Sequence, residues 1–162
     1  MTAAVRRVLF LCTGNSARSI MAEALLNHLG GGRWRAASAG SHPKGTVHPQ
    51  ALALLRGKGL PVDGLRSKSW DEFAGPAAEP VDVVITVCDR AAAEECPYWP
   101  GAPVRAHWGV DDPAAAPPVE QPRAFERAYA ELESRVRRLV ALPVESLDGP
   151  ALRERLAAIG RG

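Results

Sequence analysis

Val8-Leu9-Phe10-Leu11-Cys12-Thr13-Gly14-Asn15-Ser16-Ala17-Arg18-Ser19 passes from a continuous apolar run into small polar residues and then into the helix-like segment Ile20 to Leu29. The apolar run reads as the end of a first strand. Five residues separate Cys12 from Arg18, enough to curl the chain so that successive backbone N–H groups of Thr13 to Ser19 point at one centre. Gly14 and Asn15 are expected to supply the left-handed dihedrals of that curl. The N-terminus of a capped helix adds partial positive charge, and Arg18 can place two parallel N–H donors on one anion. Thr13, Gly14, Asn15, Ser16, Ala17, Arg18 and Ser19 thus read as an oxyanion-binding loop with a thiol at its floor. A thiol beside a guanidinium at a helix N-terminus titrates below its free value of about 8.5, so Cys12 is expected to be a thiolate nucleophile at neutral pH. Ser19 is placed to steady that thiolate and Asn15 to brace the loop from within.

Outward from this stretch, strand-like and helix-like patterns alternate. Val5–Leu11, Arg33–Ala39, Val81–Val87 and the shorter Val104–Trp108 read as strands. Ala17–Leu29 and Pro49–Lys58 read as helices closed by glycines, and Gln121–Leu142 carries Phe125, Ala128, Tyr129, Leu132, Val136 and Leu139 at helical spacing. A last helix is expected from near Pro150, capped by Asp148 across Gly149, to Gly160. Such alternation predicts an α/β fold, a parallel sheet with helices on both faces, whose ligands bind at the carboxyl ends of the strands. Cys12, Cys88 and Asp112 all follow predicted strands and are expected on one rim.

The 162 residues suit a single domain with a substantial core, and no linker or repeat divides them. An apolar fraction of 46% and a formal charge of +2 leave no basic block for nucleic acid and no apolar run that would cross a membrane. Met1 to Arg7 enters a strand rather than a signal-like apolar stretch, so a cytoplasmic location is expected. The three cysteines then read as working thiols rather than a disulfide framework.

Asp111-Asp112-Pro113 follows the last predicted strand, where a carboxyl can swing over the loop and protonate a leaving oxygen. Proline just after Asp112 favours that residue as the acid, although an Asp-Asp-Pro run is also an ordinary turn. Cys88 ends the strongest strand, and Cys96 lies beyond an Ala/Glu-rich segment that suits a short helix. Their spacing is not that of a zinc site. Either Cys88 is a small core residue and Cys96 a loop residue, or the two pass a disulfide outward from Cys12. The relay requires that segment to unwind, because eight residues of helix span about 12 Å whereas bridged Cα atoms lie about 4.4–6.8 Å apart. His28, His42, His48 and His107 show no metal-ligand spacing, and Trp34, Trp70, Trp99 and Trp108 read as core or rim aromatics.

Taken in order, Cys12 to Ser19, Met21-Ala22-Glu23, Ser38-Ala39-Gly40, Ile85 to Cys88, Cys96-Pro97 and Trp108 to Pro113 resemble the arsenate reductases built on the low-molecular-weight tyrosine phosphatase fold. The resemblance runs from about Val5 to Leu142. It implies one three-layer domain over residues 1–162 with a four-stranded parallel sheet flanked by helices, 146–162 being an extension without an assigned role. It also implies reduction of arsenate to arsenite, with Cys12 as nucleophile and Arg18 with the loop amides as oxyanion binders. Asp112 would be the proton donor, and Cys88 and Cys96 the relay thiols of a redox-active disulfide. No bound cofactor is implied; electrons would come from thioredoxin or a glutaredoxin/glutathione-like thiol system, and a monomer is expected. The Cys88–Cys96 interval is one residue longer than in the best-known thioredoxin-coupled members. Some members bind potassium with an aspartate where this chain has Lys68, although Asn15, Glu23 and Ser38 match the other ligands, so no metal is expected.

A tyrosine phosphatase of the same fold, hydrolysing phosphate monoesters through a Cys12 phosphoenzyme, would use the same loop, Arg18 and Asp112. Phosphatases of this fold usually hold a phenyl ring with aromatic residues after Asp-Pro, where this chain continues Ala114-Ala115-Ala116. A hydrolase also has no use for Cys88 and Cys96. A non-enzymatic anion sensor would keep Arg18 and the loop but need neither acid nor relay thiols.

Overall fold

Val8 and Phe10 are buried in one apolar cluster and Leu9 and Leu11 in another, so β1 (Arg6–Leu11) is covered on both faces, as its unbroken apolar run requires. The computed structural model describes residues 5–75, 78–88 and 103–161. Within them β1 pairs in parallel with β2 (Trp34–Ala39) on one side and β3 (Val83–Thr86) on the other, and β3 pairs in parallel with β4 (Val104–His107). The order β2-β1-β3-β4 makes one four-stranded parallel sheet.

The larger cluster lies under α1 (Arg18–Leu29), α2 (Pro49–Gly57), α3 (Gln121–Val140) and α4 (Gly149–Arg161). On the other face Leu9, Leu11, Ala39, Val81 and Val84 pack with Trp70, Phe73 and Ala74, which belong to or adjoin the 3-10 turn Trp70–Phe73. α3 is amphipathic, with Phe125, Ala128, Tyr129, Leu132, Val136 and Leu139 inward. α1 instead buries Ile20, Met21, Ala22, Ala24, Leu25 and Leu26, since it lies between the sheet and α3. Most observed elements are one or two residues shorter than their apolar patterns, β3 is three shorter, and α4 extends one residue past its expected span at each end. Val87, for instance, is buried and bonds the Leu11 carbonyl, yet lies past the last residue of β3. The helix expected between Cys88 and Cys96 falls outside the described residues, as does Cys96 itself.

Chain direction positions the site. From β1 the chain crosses through α1 to β2 on one side, while β3 lies on the other, so the carboxyl ends of β1 and β3 flank the point where the winding reverses. Cys12 follows the first and Cys88 the second. Gly40, just after β2, lets this rim close: a Cβ there would sit 2.6 Å from the Cys12 carbonyl oxygen and run into that of Thr13. Its own N–H and C=O bond the Lys68 carbonyl and the Trp70 amide, which draws the 67–70 segment under the loop.

Candidate active site

Between Cys12 and Arg18 the chain turns by way of Asn15, whose φ of 44° is the only positive value of a non-glycine residue among those described. The expectation for Gly14 needs correcting, because its φ is not positive. It is small for another reason: a Cβ would lie 3.2 Å from Cε of Lys44, whose side chain packs across it. Asn15 is wholly buried and ties three segments together. Its Nδ2 donates to Ser19 Oγ at 2.8 Å and Ser38 Oγ at 2.9 Å, and its Oδ1 accepts from the Lys68 amide at 2.9 Å. These bonds hold a left-handed residue that would otherwise cost of order 1 kcal/mol. Ser38 in turn donates to Glu23 at 2.6 Å, and Lys68 Nζ lies 3.8 Å from the same carboxylate. The ammonium of Lys68 thus lies beside the Glu23 carboxylate that Ser38 bonds, and it donates to the Arg66 carbonyl at 3.0 Å.

The helix after the loop has no side-chain cap: Ala17 stands at the N-cap position and accepts no bond there. The expectation of a capped helix is thus corrected, with a chemical consequence. The first-turn N–H groups that a Ser or Asp cap would occupy are left for a ligand of the loop.

Cys12 and Cys88 are 5% and 4% exposed, side by side at the floor of a cavity of about 750 Å³. The Thr13 amide donates to Cys88 Sγ at 3.4 Å, and the neighbouring Cys88 thiol, together with burial, pushes the Cys12 thiol up from its ordinary value. Arg18 and the Gly14 amide pull the other way and are outweighed. This overturns the expectation of a lowered Cys12. The sequence shows the guanidinium and the helix but not that a second thiol stands against the first, nor that both are out of water.

Arg18 reaches across the cavity rather than into the loop alone. Its Nη1 donates to the Val110 carbonyl at 2.9 Å, and Nη2 lies 3.8 Å from Asp112. Asp112 caps the short turn Pro113–Ala115 through Ala114 N–H and keeps its carboxyl 43% exposed at the cavity wall. Cys12, Thr13, Gly14, Ser16, Ala17, Arg18, Cys88 and Asp112 thus line one cavity. Asn15 and Ser19 lie behind it as buried supports, and Ser19 accepts from Asn15 rather than being bonded to the thiol. Asp111 also lines the wall. His48 caps α2 through its ring nitrogen. No cluster of metal-binding residues occurs among the described residues, and none of their helices is long and apolar enough to cross a membrane.

Sequence reasoning passed over Lys44 as a member of this wall. Lys44 N–H bonds the Gly14 carbonyl at 3.0 Å, and its side chain lines the cavity together with His42. Lys44, four residues after Ser38-Ala39-Gly40, was the available signal. It became readable only once Gly40 brought that segment against the loop.

Comparison with known proteins places this geometry. Residues 7–150 match the family described as low molecular weight phosphotyrosine protein phosphatase. An arsenate reductase of Bacillus licheniformis is 36% identical over 136 residues, covering 82% of this chain and 94% of that one. One of Bacillus subtilis is 35% identical over 132 residues, covering 80% and 91%. Among solved structures, an arsenate reductase in the phosphate binding state superposes with a TM-score of 0.70 at 28% identity, over 85% of this chain and 98% of that one. A thioredoxin-dependent arsenate reductase of Corynebacterium glutamicum gives 0.64 at 28% identity, over 86% and 62%.

Proposed function

This chain belongs to the low molecular weight phosphotyrosine protein phosphatase family, and we propose that within it the protein is an arsenate reductase working through Cys12, Cys88 and Cys96. The observation that carries the reading is Cys88, buried with Cys12 in the lining of the same cavity. Phosphate ester hydrolysis has no use for a second thiol there, whereas reduction needs one.

Arsenate enters as an oxyanion against the loop amides, the open first turn of α1 and Arg18. Cys12 loses its proton as the anion binds, and Sγ attacks arsenic. An S–As bond forms, and an oxygen departs as water with a proton from Asp112. Cys88 as thiolate then attacks Cys12 Sγ: the S–S bond forms, the S–As pair returns to arsenic, and arsenite leaves with arsenic reduced by two electrons. Cys96 attacks Cys88 and releases Cys12. A dithiol reductant of the thioredoxin or glutaredoxin type reduces the Cys88–Cys96 bond, taking up the two electrons' worth of oxidation.

The test is arsenite release by the purified protein with thioredoxin and, separately, glutaredoxin with glutathione, beside aryl-phosphate hydrolysis. The expected result is arsenite release sustained by one thiol system and lost in Cys12→Ser. Aryl-phosphate turnover without any arsenite release would make the protein a phosphatase instead.

A further inference from the structure

The family match ends at residue 150, whereas α4 runs over Gly149–Arg161. This appended helix is firmly built into the fold. Ala151 N–H bonds the Asp148 carboxylate at its start, and Leu152, Leu156 and Ile159 are buried in the main cluster. Its last turn lands on the joint where β4 becomes the loop carrying Asp112. Trp108, wholly buried, donates its indole N–H to the Leu156 carbonyl at 3.0 Å. Gly160 lies so close that a Cβ would be 2.8 Å from Trp108 Cδ1 and would run into the His107 carbonyl oxygen. Arg138 of α3 donates to the Ile159 carbonyl at 3.4 Å and ties that turn down.

From this joint the loop is held residue by residue. The Trp108 amide bonds the Thr86 carbonyl at 2.7 Å, Arg135 of α3 donates to the Gly109 carbonyl at 3.0 Å, and Val110 N–H bonds the Val87 carbonyl at 3.0 Å. The Val110 carbonyl accepts from Arg18. Asp112 itself has only its own turn and the 3.8 Å approach of Arg18. Its place at the cavity wall is therefore inherited from the segment behind it, and displacement by an ångström is enough to weaken a proton transfer.

We propose that α4 is a brace for the acid loop, with Trp108 and Gly160 as positioning residues that set the Asp112 carboxyl over the cavity. The inference rests on Asp112 being the proton donor of the proposed reaction. Gly160→Val forces the last turn of α4 away from His107 and Trp108, and Trp108→Phe keeps the ring but removes the indole N–H.

The experiment compares hydrolysis of p-nitrophenyl phosphate, whose leaving group departs with little help, with that of phenyl phosphate, whose leaving group needs a proton. The ratio of the two rates is taken on one preparation and so does not depend on how much of a variant is folded. Asp112→Asn is expected to raise the ratio about tenfold or more, and Gly160→Val and Trp108→Phe to raise it several-fold. Arsenate reduction per alkylatable Cys12 should fall several-fold in kcat in the same two variants. A wild-type ratio, or wild-type kcat per Cys12, in both Gly160→Val and Trp108→Phe overturns the brace while Asp112→Asn still responds. If Asp112→Asn leaves the ratio and the arsenate kcat unchanged, the acid assignment itself is wrong and the brace goes with it.

Discussion

Arg18 Nη1 donates to the Val110 carbonyl oxygen at 2.9 Å, so the guanidinium of the nucleophile loop is also bonded to the loop that carries Asp112. An oxyanion bound by Arg18 would draw on the same donors as this carbonyl, which would couple its capture to the position of Asp112.

Arg18→Lys keeps the charge but loses the fork that spans both partners. Arsenate reduction should drop in kcat/KM by about 100-fold or more, and the thermal shift produced by phosphate should shrink. Near-normal activity would mean that the backbone amides bind the oxyanion alone.

The Cys12 thiol is held up first by the neighbouring Cys88 thiol and then by burial, against Arg18 and the Gly14 amide. Cys88→Ala removes the largest of the raising causes, so the thiolate should appear at lower pH. Alkylation of the Cys12 peptide by iodoacetamide, followed by mass spectrometry across pH, should show its midpoint moving down from an alkaline value in the wild type. A midpoint that stays or rises would refute the coupling of the thiols.

Cys96→Ser should stop multiple turnover and accumulate a Cys12–Cys88 disulfide after one arsenate reduction, because both thiols line the same cavity. Tryptic peptides of the wild type should show the Cys88–Cys96 bond instead. Sustained reduction by Cys96→Ser with glutaredoxin and glutathione would replace the last relay step with a mixed disulfide.

Lys44 lies exposed on the cavity wall with its stem against Gly14. Lys44→Met should keep that packing and remove the charge, raising the arsenate KM about three- to fivefold with little change in kcat. The effect should fade at high ionic strength, as screening dictates. A salt-independent change in kcat would point to a different role.

Glu23 is raised above its ordinary 4.5, chiefly by burial, with Ser38 and Lys68 opposing; burial likewise lowers Lys68. Lys68→Met removes the compensating charge from a buried carboxylate at a cost of about 3 kcal/mol, and Glu23 then rises further. A carboxyl whose folded value lies above its unfolded one stabilises the fold while protonated and loses that contribution as pH rises through the folded value. The melting temperature of Lys68→Met should thus lie closest to wild type in acid and fall progressively behind as pH climbs above 4.5. A gap independent of pH would count against this pairing.

The sequence by itself determined the α/β alternation and the four strands. Val8 to Leu11 and Val83 to Ile85 are apolar without interruption, as suits strands covered on both faces. The loop from Cys12 through Asn15 to Arg18 was legible too, because it is one local turn between a strand and a helix. Tertiary structure alone decided what depends on residues distant in the chain. The direction of the Cys12 titration follows from Cys88, brought alongside by the β1–β3 pairing. The place of Lys44 follows from the close approach at Gly40, and that of Lys68 from the three bonds of Asn15. The docking of α4 on Trp108 depends on Gly160 meeting His107 across more than fifty residues. Periodicity and spacing report on neighbours along the chain, whereas burial and hydrogen bonding between segments arise only when packing brings them together.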